Sequence, residues 1–501
     1  MSASREKNVS DDFIKERYQS ETLVHDSIHG YITIASPSSE PQPGETAYER
    51  DLVDSPWLQR LRQIHQLQTA WLVYPTAEHS RFPHALGTMR LASRVWDAWH
   101  ESFYRVFEEN PSLLEGESAE ERRPVPSRRC VEELLRVAGL LHDVGHGPFG
   151  HFFDDNYLSR YKTPSGDQLT HETLGAEIVR RELADAISGI RRSPSGVFKE
   201  GERLFPDDVA FLIVRPRSEE ADRRRPAWLR MLRLLFSGLY TVDNMDFVLR
   251  DSYASGVSVK PYDLNRLIHY TFFTDRGLTL HRKGVGSLLN FLEARSGLFR
   301  SVYYHRTVRA IDVELADLFR EGADLLYPYG NPLDSLEEYL RFTDWSLLSD
   351  VRTWDRSDDP RKQKLSKPWR DLLERRISWR LLAEKTFLFK DGDSEEASVF
   401  SSPRLFEAAL RDRLPQTLQS TPLRFDVARA SYRPESVASK NYLYQPETDS
   451  IAPLLQDPIL GQSPKSIRVC RVYGKSREGR DEIVAAFNQL VDGKIDEVTN
   501  I

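Results

Sequence analysis

Ala138-Gly-Leu-Leu-His142-Asp143-Val-Gly-His146-Gly-Pro-Phe-Gly-His151 is the stretch on which the reading of this chain turns. The apolar run VEELLRVAGLL leads into it with helical spacing, so a buried helix is expected over about 129–145. That helix delivers an adjacent His-Asp pair and then meets a series of glycines. A histidine beside an aspartate offers an imidazole nitrogen and a carboxylate oxygen to one cation when the helix end aims both at a common point. The glycines permit tight turns and a close approach of backbone to a ligand. His146 and His151 fall in or just after the turn, near such a cation but not evidently on it.

Two ligands do not close a metal site, and the flanking sequence supplies more. Upstream, His79-Ser-Arg81-Phe-Pro-His84 places a histidine at the start of a helix expected over 84–108, with an arginine three residues before it. Downstream, Tyr240-Thr-Val-Asp243-Asn-Met-Asp246-Phe-Val-Leu-Arg250-Asp251 puts three carboxylates on one helix. Asp243 and Asp246 are an i,i+3 pair and project from similar faces. The result is an H…HD…D set with positions left for water and substrate. Such a nitrogen and oxygen site suits one divalent ion, Mn, Fe, Zn, Mg or Ni, without choosing among them. A His-Asp dipeptide alone is common, and carboxylates on a helix more often form a solvated face. The conjunction carries the inference.

Around this centre the chain reads as mainly α. Residues 1–20 are polar and expected to form a loose tail. LVHDSIHGYITI ends with strand-like alternation. Asp54-Ser55-Pro56 opens a helical pattern over 51–67, and further helices are expected over 171–187, 229–250 and 284–320. Residues 21–325 form the expected helical core. From 326 to 501 a smaller α+β lobe is expected, with helices at 335–348, 369–389 and 480–493, β-like runs including SIRVCRVYG, and a role in packing and assembly.

Composition sets limits. The 501 residues carry a net charge of -7, so an anionic ligand has to be met by local cations or a metal. Two cysteines exclude a disulfide framework and a cysteine zinc site, and fit a reducing cytoplasm. No apolar stretch approaches the roughly 20 residues of a membrane span, and MSASREKNVSDDF lacks the apolar run of a secretory signal. A cytoplasmic location, away from membranes, is expected.

The quoted motifs, with DSPWLQRLRQIHQLQ, the Thr170-His-Glu172 triplet and LEARSGLFRSVYYHRTV, resemble the HD superfamily, and more narrowly its deoxynucleoside triphosphate triphosphohydrolases. The resemblance covers about 21–320 in family order. It implies an all-helical HD-domain core, with metal ligation by His84, His142, Asp143 and Asp243. It places His146, His151 and His171 on the phosphate side, with His151 suited to proton transfer and Asp154 to orienting it. Arg81 and Arg295 would contact the polyphosphate, Gln66 and Leu67 would face the deoxyribose, and Tyr303 would lie along sugar and base. Asn244, Phe247 and Asp251 complete the substrate side. Asp54, Gln59 and Arg62 match a regulatory guanine-nucleotide site between subunits, which implies a guanine-nucleotide activator and a homo-oligomer, dimer or tetramer. The competing reading makes Asp54 a helix cap and Gln59 and Arg62 ordinary surface residues.

Two departures bear on substrate. Asn244 stands where the family has lysine, and Phe247 where it has tyrosine. Each removes a phosphate contact of a kind worth about 1.5–3 kcal/mol when charge-assisted. The leading expectation is dNTP hydrolysis to deoxynucleoside and triphosphate. The alternatives are an HD phosphohydrolase acting on a nucleoside monophosphate, cyclic nucleotide or alarmone, and a nucleotide-sensing or nucleic-acid-binding regulator with a vestigial site. The Arg-rich stretch 215–230 lends the last some support, although interleaved acids make it read as an exposed linker.

Overall fold

Ser127 accepts a hydrogen bond from the Cys130 amide and caps the helix Arg128–Leu141, in which every residue from Cys130 onward is buried. The computed structural model describes residues 21–37, 41–116, 118–214, 222–258, 260–390, 393, 398–431, 441–461 and 464–498. The expected tail, 1–20, and part of the Arg-rich stretch, 215–221, lie outside the described residues.

A helix buried on all sides has to satisfy its charges internally. Arg136 does so by donating to Glu49 (2.6 Å), Ser93 Oγ (2.7 Å) and the Thr33 carbonyl (2.7 Å). Those bonds tie three neighbouring elements to the central helix. The helix Arg81–Glu109 packs along it and buries Trp96 and Trp99, whose indole N–H groups donate to the carbonyls of Arg128 and Ile268.

The fold is mainly α, with small sheets. Strands β1 (Glu21–Asp26) and β2 (Gly30–Ala35) form an antiparallel hairpin, and β3 (Arg192–Ser193) and β4 (Gly196–Val197) a shorter one. A further hairpin, β5 (Thr271–Thr274) and β6 (Gly277–His281), is extended by β9 (Asn441–Gln445) and β10 (Ser450–Pro453) in the order β10-β9-β6-β5, with β6 and β9 parallel. A three-stranded antiparallel sheet, β7-β11-β8, combines Arg380–Phe389, Ser466–Gly474 and Leu423–Ser431.

Several expected helices are subdivided. The 51–67 pattern resolves into Glu49–Val53, Pro56–Gln59 and short 3-10 turns, because Ser55 caps a new start with Pro56 in its first turn. The 229–250 run breaks at Phe236–Tyr240. Thr241 then caps a fresh helix, Val242–Ser255, which ends at left-handed Gly256. The 284–320 run is two helices, Val285–Leu298 and Arg306–Leu326, separated by a π turn. The 369–389 expectation is overturned in its second half. The helix Pro360–Leu373 ends and Arg380–Phe389 is a strand, paired along its length with β11. Tertiary pairing outweighs local preference there.

One apolar core runs from Ile32 through Leu372 and takes in Leu443 of β9 and, just after β10, Leu454 and Leu460. The helices between residues 326 and 374 belong to it through Tyr339, Trp354 and Trp369. A second cluster, Leu382 to Val491, fills the space between the β7-β11-β8 sheet and the helices Pro403–Arg413 and Arg480–Val498. The change from the first cluster to the second falls near residue 380.

Candidate metal centre and substrate pocket

His84 leaves the first turn of the helix Arg81–Glu109, His142 caps the end of Arg128–Leu141, and Asp243 sits in the first turn of Val242–Ser255. Their ligand atoms converge. His84 Nε2 and His142 Nε2 are 3.1 Å apart, and Asp243 Oδ1 lies 3.2 Å from the first and 3.7 Å from the second. Both imidazoles use Nδ1 elsewhere. His84 Nδ1–H donates to Asp246 Oδ2 (2.7 Å) and His142 Nδ1–H to the Gly139 carbonyl (2.8 Å). In the neutral rings both Nε2 atoms are therefore acceptors, facing each other and a carboxylate.

Three acceptors crowded together call for a cation. Bonds of about 2.0–2.2 Å to one ion place neighbouring ligand atoms roughly 3 Å apart, so these residues fit a divalent metal. The electrostatics agree. Burial works against a charged His84, but Asp243, Asp246 and Asp143 outweigh it and push its pKa up to about 10. His142 is raised as well, burial opposing and Asp143 and Asp243 prevailing. Asp243 is held well below the usual carboxylate range by the two histidines, against the effect of burial. Asp143 stands at the edge of the group. Its Oδ2 accepts from Arg81 Nη1 (2.7 Å), leaving Oδ1 to face His142 (3.4 Å) and His146 (3.3 Å).

Behind His84 is a support that the sequence reading had paired with Asp243 but given no role. Asp246 is fully buried and accepts from His84, from His29 Nε2 (2.6 Å) and from Arg250 (2.8 and 2.9 Å). Arg250 also pairs with Asp26 of β1 (2.8 Å), so the hairpin is locked to the helix that carries Asp243. The 243, 246, 250 spacing carried the signal for two of these residues. His29 and Asp26 lay in the quoted DSIHG motif without a role.

A second histidine group adjoins the first. His146 is buried and stacks on His171 at 3.7 Å, and His151, 60% exposed, meets both rings edge-on. Asp154 accepts a short bond from His171 Nδ1 and a longer one, 3.4 Å, from His151 Nδ1. It orients His171 more directly than His151, the partner expected from sequence. Burial, with Arg81 and His171 nearby, keeps His146 far below the usual imidazole range and hence neutral. Asp154 raises His171 against the pull of burial. The turn is crowded. A Cβ on Gly145 would stand 2.0 Å from the His171 carbonyl oxygen, and one on Gly150 would stand 2.3 Å from Arg81 Nη2.

Both groups border a cavity of about 530 Å³, within the roughly 300–1,000 Å³ of small-molecule sites. Of the residues singled out in sequence, Arg81, His84, His142, Asp143, His151, His171 and Asp243 line it, as do Gln66, Leu67, Asn244, Phe247, Asp251, Arg295 and Tyr303. His146 and Asp154 are not among its lining residues. Among the described residues Gln66 Oε1 has no hydrogen-bond partner. Asp251 is less available than expected, because Tyr303 O–H (2.6 Å) and His79 Nε2–H (2.8 Å) occupy its two oxygens. Beside Asn244 and Phe247 the lining includes Leu212, Ile213, Val214 and Phe236. The lining also takes in Arg309, Asp312 and, from β8, Val427–Arg429, none of which the sequence had marked.

Asp54, Gln59 and Arg62 lie outside the cavity. Asp54 pairs with Arg50 (3.2 Å), Gln59 donates to the Val53 carbonyl (2.7 Å), and Arg62 donates to Gln59 (2.8 Å) while covering the Phe82 ring. The cap of the helix Pro56–Gln59 is Ser55, not Asp54. Among the described residues no helix is long and apolar enough to cross a membrane.

Residues 81–195 match the HD domain family. The chain is similar to the deoxynucleoside triphosphate triphosphohydrolase SAMHD1 homolog of Dictyostelium discoideum, 27% identical over 72% of this chain and 60% of that protein. It is also similar to the uncharacterized protein YwfO of Bacillus subtilis, 26% identical over 62% of this chain and 63% of that one. It is also similar to the deoxynucleoside triphosphate triphosphohydrolase SAMHD1 of Gallus gallus, 27% identical over 64% of this chain and half of that protein's length. A hypothetical protein from Aquifex aeolicus shares the fold, with a TM-score of 0.63 at 20% identity over 93% of this chain and all of that one.

Proposed function

We propose that this HD-domain chain is a metal-dependent phosphohydrolase, and that its substrate is a deoxynucleoside triphosphate, cleaved to deoxynucleoside and triphosphate. The observation that carries the reading is the meeting of two imidazole Nε2 atoms and an Asp243 oxygen at 3.1–3.7 Å, with Asp143 alongside, on the wall of a nucleotide-sized cavity. His84, His142, Asp143 and Asp243 would hold the ion. Bound there, a divalent ion supplies Lewis-acid polarisation of a phosphoryl oxygen and a more acidic water.

The remaining roles follow from the side chains. Arg81, fixed by Asp143, and Arg295 offset charge on the phosphates. Water attacks the α-phosphorus and gives up a proton to solvent, the bond from phosphorus to the 5′-oxygen breaks, and His151 as imidazolium gives its proton to that departing oxygen and regains one from solvent. Asp154 and His171 fix the ring against which His151 stands, and neutral His146 fills the space behind. Gln66, with its free oxygen, and Leu67 suit a sugar that has one hydroxyl and lacks the other. Tyr303, held by Asp251, presents a flat face to sugar and base. In the same reading Asp54, Gln59 and Arg62 take a guanine nucleotide between subunits of a homo-oligomer.

A second reading rests on the surroundings of Asn244 and Phe247. Leu212, Ile213, Val214, Phe236 and Phe247 line the same cavity and Asn244 brings no charge to it, so the lining offers a triphosphate tail fewer cations than the family pattern would. A shorter phosphate ester, such as a nucleoside monophosphate or cyclic nucleotide, needs fewer. A product assay with Mn²⁺ or Mg²⁺ on the four dNTPs, the four NTPs and a panel of mono- and cyclic nucleotides separates the two. Inorganic triphosphate from dNTPs supports the first; orthophosphate or a linear nucleotide, with no triphosphate, replaces it by the second.

A further inference from the structure

Asp344 lies outside the matched 81–195 region and outside every motif read from the sequence. It opens the helix Asp344–Val351, capped by Thr343, and is completely buried. Its Oδ1 accepts the backbone N–H of Phe149 at 2.7 Å. Its Oδ2 accepts both the backbone N–H of His65 (2.8 Å) and the His65 ring Nδ1–H (2.7 Å).

Phe149 is one of four non-glycine residues with positive φ among those described, at +60°, and Gly150 follows at +56°. A bulky L-residue adopts this conformation only where its surroundings impose it. The ring of Phe149 is buried against Phe152 and Phe319, and its amide is bonded to Asp344, so both ends of the residue are fixed by the tertiary structure. The turn it makes lays Gly150 against the Arg81 guanidinium and starts the next helix at His151. Neighbours of Asp344 grip the same loop. Arg60 donates to the carbonyls of Val144, His146 and Phe342, and Tyr339 O–H to that of Gly145.

We propose that Asp344 is the positioning residue of the histidine loop: it holds Phe149 in the left-handed conformation, sets where His151 stands relative to Arg81, and couples that point to His65, next to Gln66 and Leu67 of the pocket. The effect on catalysis rests on the phosphohydrolase reading; the effect on the loop does not.

The test is Asp344→Asn, in which one acceptor oxygen cannot serve both amides. Hydrogen exchange over residues 144–153 should speed up by at least about tenfold, with 128–141 unchanged. Bound metal should stay, and kcat should fall by about 10–100-fold with little change in KM, as for a displaced catalytic group. In a Phe149→Gly background, where glycine holds the conformation unaided, the same substitution should cost much less. Unchanged exchange in Asp344→Asn, or a loosened loop with undiminished kcat, overturns the proposal. If wild type hydrolyses no phosphate ester but exchange responds as stated, the function assigned above fails and the clamp stands. Should the variant not fold, the wild-type Phe149 amide decides: protection equal to that of the 128–141 helix supports the clamp, and rapid exchange refutes it.

Discussion

The metal corner and the histidine loop border one cavity but are built differently. At the candidate metal corner the residues leave long helices, and those helices brace one another: Gly139 holds His142, Asp246 on the helix of Asp243 holds His84, and Arg81 on the helix of His84 holds Asp143. The loop from Gly145 to His151 closes one backbone turn of its own, Gly150 N–H donating to the Gly147 carbonyl (3.0 Å). Beyond that turn it is held by Arg60, Tyr339 and Asp344, from 86 to 195 residues away. The proposed ligand set is thus braced by the same helices that carry it, while the proposed proton-handling histidine depends on chain outside those helices.

That contrast can be broken at its strongest point first. His142→Ala or Asp143→Ala should lower hydrolysis on the order of 10³-fold, the scale expected when transition-state electrostatics are removed, with the fold intact by circular dichroism. Asp246→Asn attacks the support of His84 and should weaken metal affinity by about 10–100-fold, measured by titration with Mn²⁺. The loop side responds in stability. Gly145→Ala forces a Cβ against the backbone of His171 and Gly175 and should destabilise by about 1–3 kcal/mol in urea unfolding. Gly286→Ala, on a helix with open space around it, should stay within about 1 kcal/mol of wild type.

The smallest effect depends on pH. Asp154 raises His171 above its unfolded value of about 6.5, so the stability this pair contributes is complete below that pH and is lost as pH rises through the higher folded value. Asp154 itself is depressed, so at the acid end the contribution disappears as the carboxylate protonates, below about 3.9. The Tm difference between wild type and Asp154→Asn should be largest near pH 5–6 and shrink as pH rises through the raised His171 value. A difference that grows with pH would mean that His171 is not the charged partner.

The two regions also differ in how much the sequence disclosed. His84, His142, Asp143 and Asp243 were legible because a buried helix ending in His-Asp, and a carboxylate pair at helical spacing, are local patterns. Asp344 was not, because nothing in RFTDWSLL marks an aspartate whose partner is a backbone amide 195 residues upstream. The helices were legible by periodicity, but their interruptions came from single capping residues, Ser55 and Thr241. The strand Arg380–Phe389 was misread as helix because its pairing with Ser466–Gly474 is supplied from another part of the chain.

The most direct test of the central claim measures bound metal and hydrolysis on the same samples of wild type and His142→Ala. The account predicts one divalent ion per wild-type chain, with both ion and phosphate-ester hydrolysis lost in the variant. Hydrolysis that survives in a variant stripped of its ion, or a wild type that hydrolyses without binding one, would contradict it.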